Sequence, residues 1–146
     1  MQTSSTLTID APAEIVWRVV TDVDAYPEWN AFTTGCRTTW EVGTPIVMKV
    51  RLLPRLTIRQ RETVRVNEDG RLIEYGIDLP MGLLRSSRRH VLTAVGAGTT
   101  RYDSEFVLEG RLAPLVDRLL GARLRQGFND MTSGLAGRAR QLHAGR

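Results

Sequence analysis

At 146 residues and 42% hydrophobic content, the chain is long enough to bury one core, and without a Pro-, Gly- or Ser-rich linker it reads as a single domain over residues 1–146. Nineteen arginines and a single lysine stand against sixteen acids for a net charge of +4, yet no helix-turn-helix, zinc finger or basic groove interleaved with aromatics accompanies them, so nucleic acid is not the expected partner. No apolar run approaches the roughly 20 residues needed to span a bilayer, no signal-peptide pattern opens the chain, and neither the lone Cys36 nor the two histidines form a cluster with metal-ligand spacing; the expectation is a cytoplasmic protein without metal or cofactor.

Leu7 and Ile9 alternate with Thr6 and Thr8 as in a half-buried strand. Asp10-Ala11-Pro12 then supply a cap and an N1 proline. Ile15, Val16, Val19, Val20 and Val23 recur at three- and four-residue steps, which predicts a helix with one apolar stripe. Asp24 restarts the chain, and Pro27 falls in the first turn of a second short helix carrying Trp29. Thr33 to Glu41 reads as a strand with Cys36, Thr38 and Trp40 on one face, and Cys36 reads there as a small apolar residue. Val42-Gly43-Thr44-Pro45 turns the chain into Ile46 to Leu52, with Lys49 and Arg51 on the solvated face.

The strand from Thr57 to Val66 is the most revealing. It places Thr57, Arg59, Arg61, Thr63 and Arg65 on one face and Ile58, Gln60, Glu62, Val64 and Val66 on the other. Three arginines facing inward would each need a partner in low dielectric, at several kcal/mol per unpaired ion, so the opposite face turns inward and takes Gln60 and Glu62 with it. Two readings of Glu62 stay open. It is a cavity carboxyl whose pKa rises on desolvation, or it meets an arginine from a neighbouring strand or is turned to solvent by a bulge.

After the tight turn Asn67-Glu68-Asp69-Gly70, Arg71 to Asp78 returns as a strand whose facing is ambiguous, alternation favouring Ile73, Tyr75 and Ile77 inward. The loop Leu79-Pro80-Met81-Gly82-Leu83-Leu84 is too apolar for an ordinary exposed loop; it is a lid touching ligand through Met81 and Leu83 or Leu84, or it packs on a helix. Arg88 to Val95 and Thr99 to Leu108 form a last hairpin. Tyr102, Ser104, Phe106 and Leu108 share a face; His90 shares parity with Leu92 and Ala94, which turns it inward, whereas Val91 and Val95 support the opposite facing. From Pro114 to about Leu142 the helical period returns, with Leu112, Leu115, Val116, Leu119, Leu120, Leu124, Phe128, Met131, Leu135, Ala139 and Leu142 in one stripe. Gly121, Gly127 and Gly134 inside it predict close approach, bending or room for a ligand.

A strand and two short helices ending in Pro27-Glu28-Trp29-Asn30-Ala31-Phe32, with Glu109-Gly110-Arg111-Leu112-Ala113-Pro114 leading into the last helix, resembles the SRPBCC superfamily of START-like, polyketide-cyclase-like and Bet v 1-like proteins. The resemblance covers nearly the whole chain. It implies an α+β helix-grip fold, a curved antiparallel β-sheet wrapped around a long C-terminal helix, with a cavity between them for an apolar or amphipathic ligand. A polyketide cyclase or aromatase would use Glu62, His90 and Tyr102 as proton-transfer groups. Trp29, Phe32, Trp40, Gln60, Met81, Ser104, Phe106, Phe128, Met131 and Leu135 are the candidate ligand contacts. The alternative is a non-catalytic protein that binds or transports a lipid or other hydrophobic metabolite. The arginine face of Arg59, Arg61 and Arg65 offers a surface for an acidic acyl carrier protein, or is simply solvated, and the protein is a monomer or a homodimer paired through its sheet.

Overall fold

The computed structural model describes residues 1–145. The chain runs through β1 (Gln2–Ile9), α1 (Ala13–Thr21), a 3-10 turn at Val23–Ala25, α2 (Tyr26–Trp29), β2 (Thr33–Arg37), β3 (Pro45–Leu53), β4 (Leu56–Glu68), β5 (Leu72–Gly76), a 3-10 turn at Pro80–Gly82, β6 (Arg85–Gly96), β7 (Thr99–Glu109) and α3 (Ala113–Ala144). The strands form one antiparallel sheet in the order β1-β7-β6-β5-β4-β3-β2. Register breaks at Thr33/Gly35, Arg51/Leu53, Val64/Val66 and Ala94/Gly96 add the local bend and twist that bulges bring. The sheet curls, and α3 lies against it as the gripped helix.

Local chemistry explains the connections. Pro12, in an extended conformation, is the residue that caps α1. Its carbonyl accepts the amides of Ile15 and Val16 at 3.0 and 3.1 Å; the cap expected from Asp10 is not made, and Pro12 stands one position ahead of N1. Ile15, Val16, Val19 and Val20 are buried, each side chain contributing roughly 1.5–3 kcal/mol by leaving water. At the end of α2 the buried Asn30 accepts the amides of Phe32 and Thr33 through its side-chain oxygen, at 3.1 and 2.8 Å. That side-chain turn steers the chain into β2, which is what the asparagine of the Pro27–Phe32 stretch does physically.

β2 stops at Arg37, short of the expected Glu41. Trp40 sits in the left-handed region with φ +62°, so the chain turns there, and its indole donates to the Thr21 carbonyl at 2.9 Å. On β5 the ambiguity resolves toward alternation, with Ile73 and Tyr75 in the core and Ile77 on the cavity wall.

α3 uses two of its glycines as predicted. A Cβ on Gly127 would lie 2.2 Å from the Phe32 ring and one on Gly134 2.5 Å from the Trp29 carbonyl oxygen, so the helix rests directly on the α2–β2 segment. The apolar stripe is not uniformly buried, however. Leu115 and Leu119 are 53% and 67% exposed, because the first turns of α3 direct Val116 and Leu120 toward the hollow and bury Ala113 instead. The core therefore has two parts. One is solidly packed, formed by α1, the Leu92 and Tyr102 side chains and Leu135, Ala136 and Ala139 of α3. The other spans β2 to β5 with Phe128 and Met131, and this half holds the hollow.

Candidate functional site

The hollow has a volume of about 140 Å³. Met48, Val50 and Leu52 of β3, Ile58 of β4, Phe106 and Leu108 of β7, and Val116, Leu120, Leu124, Phe128 and Met131 of α3 give it apolar walls. Into those walls are set Gln60, Glu62, Tyr75, Ser86 and Arg88.

Strand alternation places the two β4 groups. Glu62 lies opposite Ile46 and Gln60 opposite Met48, so each polar side chain is flanked on the same face by a buried apolar one. Arg59 and Arg61 are exposed on the other face. The Glu62 carboxyl takes part in none of the ion pairs among the described residues. Burial pushes it up to about 7, against the opposing pull of Arg65 and Arg88; loss of water outweighs two nearby cations. At neutral pH both its protonation states are populated.

Arg65, at the bulge between Val64 and Val66, behaves differently from Arg59 and Arg61. Its guanidinium lies over Gly76 and donates to the carbonyls of Ser86 at 2.5 Å and Ile77 at 2.8 Å. It thus bonds carbonyls where β5 leaves the sheet, and only Arg59 and Arg61 of the expected basic face stand free to meet a partner.

Arg88 is a site residue that the sequence reading misses. It lies on β6 opposite Tyr75 on one side and Phe106 on the other, and is 3% exposed. Nη1 donates to the Ser104 hydroxyl at 2.6 Å and the Glu105 carbonyl at 3.3 Å, Nη2 approaches the Met131 sulfur at 3.6 Å, and the group stacks 4.6 Å from the Phe128 ring centre. A sequence signal exists: in Arg88-Arg89 one of two consecutive strand residues must face inward, and Arg88 has the parity of His90, a candidate for the interior.

His90 and Tyr102 are fully buried but do not line the hollow. They form a chain behind its wall: Tyr75 Oη lies 3.1 Å from His90 Nε2, and His90 Nδ1 lies 2.7 Å from Tyr102 Oη. Burial, with help from Arg88, holds the His90 pKa well below its ordinary value, so the ring is neutral and has one donor and one acceptor nitrogen. Burial raises both tyrosines above their ordinary value. Only Tyr75 of this chain reaches the cavity wall. Its inward parity is legible in the alternation of β5, although it is not among the candidate site residues.

Of the other candidates, Phe32, Gln60, Phe106, Phe128 and Met131 line the hollow. Ser104 is one step removed, holding Arg88. Trp29 packs edge-on against Tyr26 at 5.1 Å, Trp40 lies 6.1 Å from Tyr75, and Leu135 belongs to the solid half of the core; none of the three lines the hollow. Met81 is 79% exposed on a turn tied to the start of α3 through Arg111, whose guanidinium donates to its carbonyl at 2.8 Å. Cys36 is pushed up to about 12 by burial and by Glu62, which leaves its thiol without a useful thiolate fraction. Among the described residues no group of three or more His, Cys, Asp or Glu side chains is placed to hold a metal, and no helix is long and apolar enough to cross a membrane.

A curved sheet gripping one long helix, hollow at one end and lined by a few polar groups, defines an SRPBCC helix-grip protein. The chain belongs to the family described as polyketide cyclase / dehydrase and lipid transport, whose profile matches residues 1–138. No curated protein matches it. Among solved structures it is similar to a START superfamily protein from Mycobacterium smegmatis, with 22% identity, a TM-score of 0.74 and coverage of 97% of this chain and 98% of that one. It is also similar to the Zhui aromatase/cyclase from Streptomyces sp. R1128, with 17% identity, a TM-score of 0.78 and coverage of 97% and 94%. A third likeness is to a protein from Thermus thermophilus, TTHA0849, with 17% identity, a TM-score of 0.73 and coverage of 97% and 99%. At these identities the likeness shows the fold.

Proposed function

We propose that the protein is a cofactor-independent acid–base enzyme of the cyclase or aromatase type, acting on an apolar carbonyl compound. The observation that supports this is convergence: Glu62, Arg88 and Tyr75 line one apolar hollow, whereas a simple carrier needs a greasy chamber with a single polar end. Membership in a family that includes polyketide cyclases and the aromatase/cyclase named for one structural neighbour add to it.

In the reaction, the Glu62 carboxylate takes a proton from a carbon next to a carbonyl. The C–H electron pair moves into the carbonyl and leaves an enolate oxygen, which accepts a hydrogen bond from Tyr75. The enolate carbon attacks a second carbonyl of the same substrate, and Glu62 returns its proton to the new alkoxide. A group with pKa near 7 suits both halves of that cycle. His90 and Tyr102 act as positioning residues: with Tyr102 donating to Nδ1 and Nε2–H donating to Tyr75, the Tyr75 proton is directed at the substrate. Arg59 and Arg61 on the outer face are the surface for an acidic acyl carrier protein, should the substrate arrive tethered.

The test uses 1-phenyl-2-propanone in heavy water, following loss of its benzylic proton signal by NMR. The wild-type protein is expected to accelerate exchange over buffer, and Glu62→Gln to lose about 100-fold or more of that acceleration. Equal exchange with both proteins removes Glu62 from catalysis and leaves the binding-and-transport reading.

A further inference from the structure

We infer that the guanidinium of Arg88 is a built carboxylate site, so that the substrate is an apolar carboxylic acid bound as its anion. This rests on the reading of the hollow as the ligand site. An arginine does not shed its proton in a protein, and taking its charge out of water costs several kcal/mol per ion unless something compensates. The hydrogen-bond and ring contacts it makes are neutral: the Ser104 and Tyr102 hydroxyls, one carbonyl, one sulfur and one aromatic face. Arg88 belongs to none of the ion pairs among the described residues.

When Glu62 is protonated, the negative charge has to come from a ligand in the hollow. Arg88 lines the hollow; Nη1 bonds the Ser104 hydroxyl and the Glu105 carbonyl, Nη2 approaches the Met131 sulfur at 3.6 Å, and the Tyr102 hydroxyl also bonds the guanidinium. An arriving carboxylate would replace the weak sulfur contact with a charge-assisted bond in low dielectric. The body of the ligand is bounded too. A cavity of about 150 Å³ lined by aliphatic and aromatic side chains takes benzene, so the 140 Å³ hollow fits one ring or a short branched chain behind the carboxylate.

The charge around Arg88 then makes binding depend on pH. Glu62 faces it from β4, Tyr75 from β5, His90 from its own strand, Tyr102 from β7 and Tyr26 from α2; α3 contributes the uncharged Phe128 and Met131. The tyrosines stay protonated and His90 stays neutral throughout the neutral range, because burial shifts each away from it. Glu62 alone changes charge near pH 7. Protonated, it leaves the cationic site open to an anion; ionised, it repels the anion and takes up the field of Arg88.

The experiment is titration calorimetry of the full chain with 4-ethylbenzoate and its uncharged isostere 4-ethylbenzamide at pH 6 and pH 8. At pH 6 the carboxylate is expected to bind at least tenfold more tightly than the amide. That preference shrinks severalfold at pH 8 in the wild type, stays constant with pH in Glu62→Gln, and disappears in Arg88→Met. The wild-type comparison stands even if Arg88→Met fails to fold. Equal affinity for the two probes in the wild type, or a preference surviving in Arg88→Met, overturns the carboxylate site alone. Failure of both probes to bind overturns it together with the ligand-site reading, whereas unaltered proton exchange in Glu62→Gln overturns only the catalytic assignment.

Discussion

Glu62 and Arg88 are both ionisable residues at inward strand positions, and the fold solves the problem of burying them in opposite ways. Arg88 keeps its charge and is given oxygen, sulfur and ring contacts; Glu62 is given none and shifts its proton affinity instead. The shift has a definite consequence for stability. Between the ordinary 4.5 and about 7 the folded state holds a proton that the unfolded state has released, so the Glu62 contribution is fully present below pH 4.5 and is lost as pH rises through 7. Glu62→Gln, which cannot ionise, is expected to match the wild type in urea unfolding near pH 4.5 and to exceed it by about 2 kcal/mol at pH 8, after discounting for water reaching the cavity. A stability difference that does not change with pH would show the carboxyl to be solvated. Glu62 was legible in the sequence because the arginines on the other face of its strand forced it inward. The same rule, that arginines face out, concealed Arg88, whose burial depends on Ser104, Phe128 and Met131 arriving from distant parts of the chain.

At the scale of elements, α3 shows how much a period alone conveys. Its 3.6-residue spacing predicted one long helix, and one forms from Ala113 to Ala144. Which glycines matter depends on what lies across from each. Gly127→Ala would put a methyl 2.2 Å from the Phe32 ring and is expected to destabilise by about 1–3 kcal/mol through overpacking. Gly137 has nothing within 4 Å, so Gly137→Ala is expected to stabilise by about 0.5–1 kcal/mol through helix propensity. Urea melts of the two variants check this contrast; equal effects would mean that Phe32 swings aside freely. The strands carry the same lesson. Alternation predicted the facing of β4 and β5, but the end of β2 at Arg37 was set by the left-handed Trp40 and its bond to Thr21 on α1, a partner nineteen residues away.

At the scale of the whole molecule, one half of the interior is solid and the other hollow, and stability and binding divide accordingly. Leu124 is half-buried and lines the hollow from α3. Leu124→Trp is expected to place its larger ring into the 140 Å³ space, leave unfolding within about 1 kcal/mol of the wild type, and abolish binding of single-ring ligands in titration calorimetry. A large loss of stability in that variant would mean that the space is too small or too rigid to accept a side chain. No such separation is expected in the solid half, where Leu135 is fully buried and truncation to alanine would create a cavity costing about 2–5 kcal/mol.

By itself the sequence determined the order of strands and helices and the inward polar pair Gln60 and Glu62, because each follows from hydrophobic period, turn residues and the cost of burying several like charges on one face; the helix-grip class came from the resemblance to the SRPBCC superfamily. Tertiary structure alone decided that Arg88 carries the cavity's fixed charge, that Tyr75 and not His90 or Tyr102 reaches the cavity wall, and that Leu115 and Leu119 stay outside. Those outcomes depend on where the bulges curl the sheet and on which side chains meet across it. Such distances between segments far apart in the chain leave no mark on local spacing.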